Sequence, residues 1–191
     1  MLFWVATGLT LLVGVLAFRR GTVVDDYVNG PASLSDLNDA DNSVIATGAL
    51  LILVQLAAVI VLSIWSLRTV RNAKRQDPAL GVSPGMACGG WYIPVGNIWL
   101  PWQQLRRAAR RATAVGSRLG VWQGTVIAAG VLNAVGRALG NVDDVDRAED
   151  VIGRLHAQGV VLLATGVLYA VATIFATKAM RAIDASTSAR G

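Results

Sequence analysis

Hydrophobic and polar residues fall into long blocks along this chain instead of alternating. Uncharged runs cover 1–18, 42–67, 78–105, 119–136 and 155–177, and most charges lie between them. A hydrocarbon core about 30 Å thick needs roughly 20 apolar residues of helix, so several runs are long enough to cross. The pattern predicts four spans, at about 2–18, 44–67, 119–140 and 156–177. The clearest is 44–67, which holds no charge and no proline and is followed at once by Arg68, Arg71, Lys74 and Arg75. The first span is short, and gains a turn if Arg19 and Arg20 snorkel to the interface. It reads as a retained span, since a cleaved leader would carry a basic n-region and an Ala-x-Ala site.

Between the spans the chain predicts its own punctuation. Gly30-Pro31 marks a turn, and Asn42 or Ser43 is the expected N-cap of the second helix. Val145, Ala148, Ile152 and Leu155 recur at near-helical spacing, which predicts a surface helix leading into the fourth span. Gly120/Gly124, Gly136/Gly140 and Gly166/Ala170 have the small-residue spacing that lets helices approach closely. The expected fold is all-α, an integral membrane four-helix bundle in a single transmembrane domain over 1–182, with a small, polar, flexible tail at 183–191.

The fifth run, 78–105, breaks the pattern. It is long enough to cross, yet it holds Pro78, Pro84, Pro94 and Pro101 together with Gly81, Gly85, Gly89, Gly90 and Gly96. Each proline removes a backbone donor, and lipid leaves freed backbone groups unpaired at several kcal/mol each. Its flanks are both basic, so a crossing would put like flanks on opposite sides. The run is therefore expected to enter and return, or to lie along the surface. Trp91, Tyr92, Trp99 and Trp102 are rings of the kind enriched at headgroup level. Pro101 suits the first turn of a helix. After it Leu105, Ala108, Ala109 and Ala112 fall on one face, with Arg106, Arg107, Arg110 and Arg111 on the other. That is a basic amphipathic helix fitted to an anionic leaflet. The interfacial segment as a whole is placed at 84–115.

Charge then sets the orientation. Loop 21–42 carries five aspartates and no Lys or Arg, whereas 68–118 carries nine basic residues. The positive-inside rule puts the nine in the cytoplasm, with both termini there and the acidic loops outside. Arg19 and Arg20 are the exceptions. Composition agrees with a membrane protein: 54% of residues are hydrophobic and 15% charged, where a soluble domain carries about 25% charged. The net charge of +5 sits beside apolar runs, so it points to membrane orientation and not to nucleic acid.

Little chemistry is visible. The single cysteine, Cys88, excludes an internal disulfide and a multi-cysteine metal site. Asp36-Leu-Asn-Asp-Ala-Asp41 lacks the central glycine and terminal glutamate of a calcium loop. His156 has no Cys or second His with which to share a metal, and no phosphate-binding Gly-x-x-x-x-Gly-Lys is present. No cofactor, metal or catalytic set is implied. Polar groups within the spans are the better leads: Asn133 and Arg137 share a face of the third span, and Gln123 lies nearer its start. Arg137 lies toward the outer end of that span, where it can snorkel or meet Asp143 or Asp144.

The stretch from Ser83 to Gln103, Ser-Pro-Gly-Met-Ala-Cys-Gly-Gly-Trp-Tyr-Ile-Pro-Val-Gly-Asn-Ile-Trp-Leu-Pro-Trp-Gln, resembles the signature of a bacterial membrane family catalogued as domain of unknown function 4328. Gly90, Trp91, Pro94, Asn97, Trp99, Pro101 and Gln103 match its pattern. Met86 stands where a tryptophan is usual, Gly96 for a small alanine and Trp102 for a tyrosine. The resemblance implies two spans, this segment and two more spans, and it brings no assigned activity. The expectation is therefore a non-enzymatic, multi-pass protein of the bacterial cytoplasmic membrane. As an accessory or scaffold-like protein it would contact anionic inner-leaflet lipid, a membrane-protein partner or a second copy of itself through 84–115. The alternative is a small transporter or channel using Gln123, Asn133 and Arg137, with a membrane enzyme third.

Overall fold

Wherever the sequence offers a long apolar block, the backbone satisfies its own hydrogen bonds as helix, the economical solution where water is excluded. The structure is a computed structural model that describes residues 1–93, 96–109, 113–142 and 147–188. Its α-helices are α1 (Leu2–Asn29), α2 (Leu34–Gln76), α3 (Pro84–Gly89), α4 (Leu100–Ala108), α5 (Thr113–Gly140) and α6 (Ala148–Ser188). Short 3-10 turns at Gly90–Tyr92 and Gly96–Ile98 lie between α3 and α4, and no strand occurs among the described residues. Four helices, α1, α2, α5 and α6, are long and apolar enough to cross a membrane. In the most apolar window of α2 only 11% of the residues are buried within the protein. Leu50, Ile52, Leu53, Leu56, Ile60, Val61 and Ile64 all lie open, a surface that water would not tolerate and lipid accepts.

The helices outrun the predicted spans. The α1 helix passes Arg19 and Arg20 and ends only at Gly30, whose N–H donates to the Asp26 carbonyl at 2.9 Å before Pro31 stops the helix. The expected N-cap at Asn42 or Ser43 is overturned, because α2 begins at Leu34. Ser33 is the residue that starts it. Its N–H and hydroxyl both donate to the Asp36 carboxylate, at 2.8 and 2.6 Å, and the Asp36 N–H points back to its Oγ at 3.4 Å. This reciprocal arrangement satisfies orphan donors that a later start would strand. The two hydrogen bonds from Ser33, the hydroxyl's first and the N–H's second, hold the Asp36 carboxyl below its ordinary value of 3.8. Ser43 lies inside the helix, its hydroxyl bonded to the Asp39 carbonyl at 2.7 Å. At the other end, α6 continues through Ser188, past the point where a flexible tail was expected, and Ile183 is 2% exposed.

The chain forms two compact units, Met1–Gln55 with Ala128–Ala170, and Leu56–Ile127 with Val171–Gly191. The first is built on close helix contacts. Val13 and Ala17 of α1, Leu51 of α2 and Leu162 of α6 form its buried cluster, flanked by Ala6 and Leu9. Glycines set the spacing between helices. A Cβ on Gly14 would stand 2.8 Å from the Leu163 nitrogen, on Gly21 2.8 Å from His156, on Gly159 2.6 Å from Phe18 and on Gly166 2.5 Å from Leu11. As numbers rise along α1 they fall along α6, so the two helices are antiparallel, each glycine receiving a bulky residue of the other. Gly136 and Gly140 of α5 receive Leu162 and Gln158 of α6 in the same antiparallel sense, as their spacing predicts. Gly120 and Gly124 do not behave so: Gly124 faces open space and Gly120 meets only the Arg106 side chain, at 3.7 Å. The α1–α2 hairpin closes through the four-residue link Gly30–Ser33, with Arg20 Nε donating to Asp41 Oδ1. This pair accounts for one of the two exceptional arginines, since its charge is met by an aspartate across the hairpin. With α1 opposed to both α2 and α6, and α5 opposed to α6, the chain leaves this unit along α2 and re-enters along α5 in the opposite direction.

Candidate functional site

In the second unit the Pro/Gly/Trp-rich segment folds into short pieces, none of them long enough to cross. Pro84 occupies the first turn of α3 and Pro101 that of α4, positions where a missing N–H costs nothing. The Ser83 hydroxyl accepts from the Met86 N–H at 3.3 Å, capping α3. The Ser83 N–H in turn donates to Gln104 Oε1 at 2.8 Å, which ties the start of α3 to α4. Gly90 is pressed against α4, where a Cβ would stand 2.9 Å from Pro101 Cδ and 3.0 Å from Leu100 Cβ. A Cβ on Gly96 would stand 2.8 Å from Leu100 Cδ1. No described residue has a positive φ, so these glycines are required by space and not by turn conformation.

Tryptophans brace the segment against the long helices. Trp91 Nε1 donates to the buried Ser66 Oγ of α2 at 3.1 Å. Its ring meets Trp102 of α4 at 5.2 Å and 71°, and Trp102 meets Trp122 of α5 at 4.6 Å and 86°. Both contacts are edge-to-face, the arrangement that ring quadrupoles favour. Trp102 is 3% exposed, and its Nε1 donates to the Asn97 carbonyl at 3.2 Å. The backbone of Asn97 thus does the tying, its N–H donating to the Ile93 carbonyl at 2.8 Å, while its side chain lies exposed.

Beside this brace lies an open cleft of about 450 Å³ lined by Trp99, Trp102, Gln103, Arg106, Arg107 and Gln123. Arg106 Nη2 donates to Gln123 Oε1 at 2.8 Å, and Gln123 Nε2 donates to the Ile98 carbonyl at 2.5 Å. Arg107 Nη1 donates to the Gly81 carbonyl at 3.1 Å. Among the described residues neither arginine meets a carboxylate. Both guanidinium groups are held in place by neutral acceptors. Leu105 of α4 is fully buried, Ala109 just past its end is 7% exposed and Arg106 is exposed, whereas Arg107 and Ala108, expected on opposite faces, are both half-buried.

The structure thus brings together Gly90, Trp91, Asn97, Trp99, Pro101, Trp102, Gln103, Arg106, Arg107 and Gln123 in one unit. Pro94, Arg110 and Arg111 lie outside the described residues, as do Asp143 and Asp144, the partners that Arg137 would meet if it did not snorkel. Asn133 and Arg137 fall in the other unit, half-buried and exposed respectively. His156, also there, lies 4.7 Å from the Phe18 ring and 3.5 Å from the Thr22 hydroxyl. Among the described residues no group of three or more His, Cys, Asp or Glu is placed to hold a metal. Sequence reasoning passed over Gln104, Ser66 and Trp122. Gln104 carries a usable signal, since it lies three residues after Pro101 and four before Ala108, on the inward face of α4. Ser66 and Trp122 carry none, because their partners come from distant elements.

The family described as "Domain of unknown function (DUF4328)" matches residues 29–185, which take in α2 through most of α6 and the whole of the tryptophan-braced segment. No curated protein and no solved structure matches the chain. With a match over most of its length and four helices fit to cross a membrane, the chain belongs to the DUF4328 family.

Proposed function

We propose that this chain is an accessory protein of the bacterial cytoplasmic membrane, without catalytic activity or cofactor, that holds anionic lipid or a membrane-protein partner at the inner face through segment 84–115. One observation carries the reading. Met86, Tyr92, Ile93, Ile98 and Trp99 are exposed on a folded segment that also presents Arg106 and Arg107, which among the described residues meet no carboxylate. Apolar rings and aliphatic groups beside free guanidinium charge suit the boundary between acyl chains and anionic headgroups. There each basic residue gains about 1 kcal/mol.

The opposite directions of α2 and α5 support a segment that leaves and returns on one side. The nine basic residues between Arg68 and Arg118 favour the cytoplasmic side for it and for both termini. The transporter reading draws no support from Gln123, whose carboxamide is engaged at both ends by Arg106 and Ile98 and so does not offer itself to a path. Nucleic acid has no part in the proposal.

Purification in mild detergent with identification of the accompanying lipids and proteins tests the function; a monomer carrying neither anionic lipid nor a partner overturns it. Orientation has a separate test. Cys88 is half-buried on α3, and a membrane-impermeant maleimide should label it in opened cells but not in intact ones. Labelling in intact cells reverses the topology.

A further inference from the structure

The polar groups of the cleft are disposed for a particular kind of anion. Arg106 and Arg107 are consecutive residues of α4, and each gives one N–H to a neutral acceptor, Gln123 Oε1 and the Gly81 carbonyl. A guanidinium has five donors, so each retains most of them. Gln123 acts as a positioning residue: anchored to the Ile98 carbonyl, it holds Arg106 beside α5 near Gly120. Gln103 adds a carboxamide, and Trp99, 52% exposed, stands with the buried Trp102 as an aromatic wall.

We propose that this cleft binds the phosphodiester of an anionic glycerophospholipid headgroup. The inference rests on the reading that segment 84–115 faces the inner leaflet, and it goes further by assigning the ligand and the residues that hold it. Planar guanidinium forks match the paired oxygens of a phosphate and confer geometry as well as charge. The cleft volume, about 450 Å³, accommodates more than the phosphate group alone. Ile98, whose carbonyl anchors Gln123, and Trp99 of the wall are both exposed hydrophobic side chains. A soluble phosphate has no use for such surroundings, whereas a lipid places its glycerol and upper acyl chain against them.

The test places the full chain in nanodiscs of phosphatidylcholine with and without phosphatidylglycerol, and counts retained lipids by native mass spectrometry. The wild-type chain should retain phosphatidylglycerol in preference to phosphatidylcholine. R106Q/R107Q should weaken that preference about tenfold or more, the scale of losing charge-assisted hydrogen bonds. R68Q/R71Q, which removes two exposed arginines outside the cleft, should leave it unchanged. Equal loss in both double variants would mean diffuse surface charge and overturn the proposal. Should R106Q/R107Q fail to fold, R106K/R107K decides: it keeps the charge and loses the forks, and full retention of the preference overturns the assignment. Added inorganic phosphate should not displace the lipid, and displacement would overturn the lipid in favour of a soluble anion. Retention of a protein partner without phosphatidylglycerol sinks this inference alone, whereas retention of neither sinks the parent reading as well.

Discussion

Gly159 of α6 lies so close to Phe18 of α1 that a Cβ placed on it would stand 2.6 Å from the Phe18 Cβ and 2.7 Å from its Cα. Backbone atoms cannot swing aside, so any side chain at 159 pushes the helices apart. G159A should lower the thermal stability of the detergent-solubilised protein by about 1–3 kcal/mol, and G159L by more. G124A, inside α5 at a position facing open space, should stabilise by up to about 1 kcal/mol through helix propensity. Equal effects at the two sites would show that helix propensity, and not contact, governs both.

Trp102 joins three parts of the second unit through one indole. W102A should cost about 3–5 kcal/mol, since it removes a buried ring that two other tryptophans meet edge-on. W102F keeps much of the ring contact and leaves the Asn97 carbonyl without its donor, so it should cost about 1–3 kcal/mol. Thermal unfolding with near-ultraviolet circular dichroism reads both, because edge-to-face indoles give strong signals that vanish when the stack opens.

The Ser33–Asp36 cap gives a pH dependence of known sign. The folded carboxyl protonates below its ordinary value of 3.8. Its contribution to the start of α2 is therefore complete above that value and is lost as pH falls through the lowered one. Carboxyl titration by nuclear magnetic resonance should find Asp36 protonating below 3.8, and S33A should return it towards that value. The same variant should speed amide exchange over residues 34–37 by about fivefold, the usual scale of a lost cap.

Arg20 and Asp41 are partly exposed, at 23% and 45% of their side chains, so their pairing is expected to be modest. A double-mutant cycle with R20Q and D41N should give a coupling of about 0.2–1 kcal/mol that shrinks in high salt. A coupling that salt does not touch would place the pair in a drier setting than its exposure implies.

The four long helices were legible because each rests on a block of residues with one local property, lack of charge over sufficient length. The excluded segment was legible for a similar reason, as its prolines and paired basic flanks act within a short stretch. What sequence could not supply was partnership. Ser33 starts α2 through a reciprocal bond to an aspartate, and against that bond the capping tendency of Asn42 and Ser43 counts for nothing. Gly120/Gly124 and Gly136/Gly140 look alike as strings, yet only the second pair is met by another helix. The small, polar composition after Ala182 gave no sign of the helix that continues there or of the burial of Ile183. Trp102 and Gln103 were legible as motif positions, but their joining with Gln123 into a cleft depends on how α4 lies against α5.

The interlock of α1 with α6 has a mechanical consequence. Gly14 and Gly21 are seven residues apart, as are Gly159 and Gly166, and Leu11, Phe18, His156 and Leu163 fill the notches at the same pitch. Sliding one rod along the other by a residue or two would drive four bulky groups into backbone at once, and only the present alignment seats them all. A change in bilayer thickness therefore cannot be absorbed by axial creep between these two rods. Where tilt meets that change the pair leans together, so the tilt of the first helix and that of the last are a single variable.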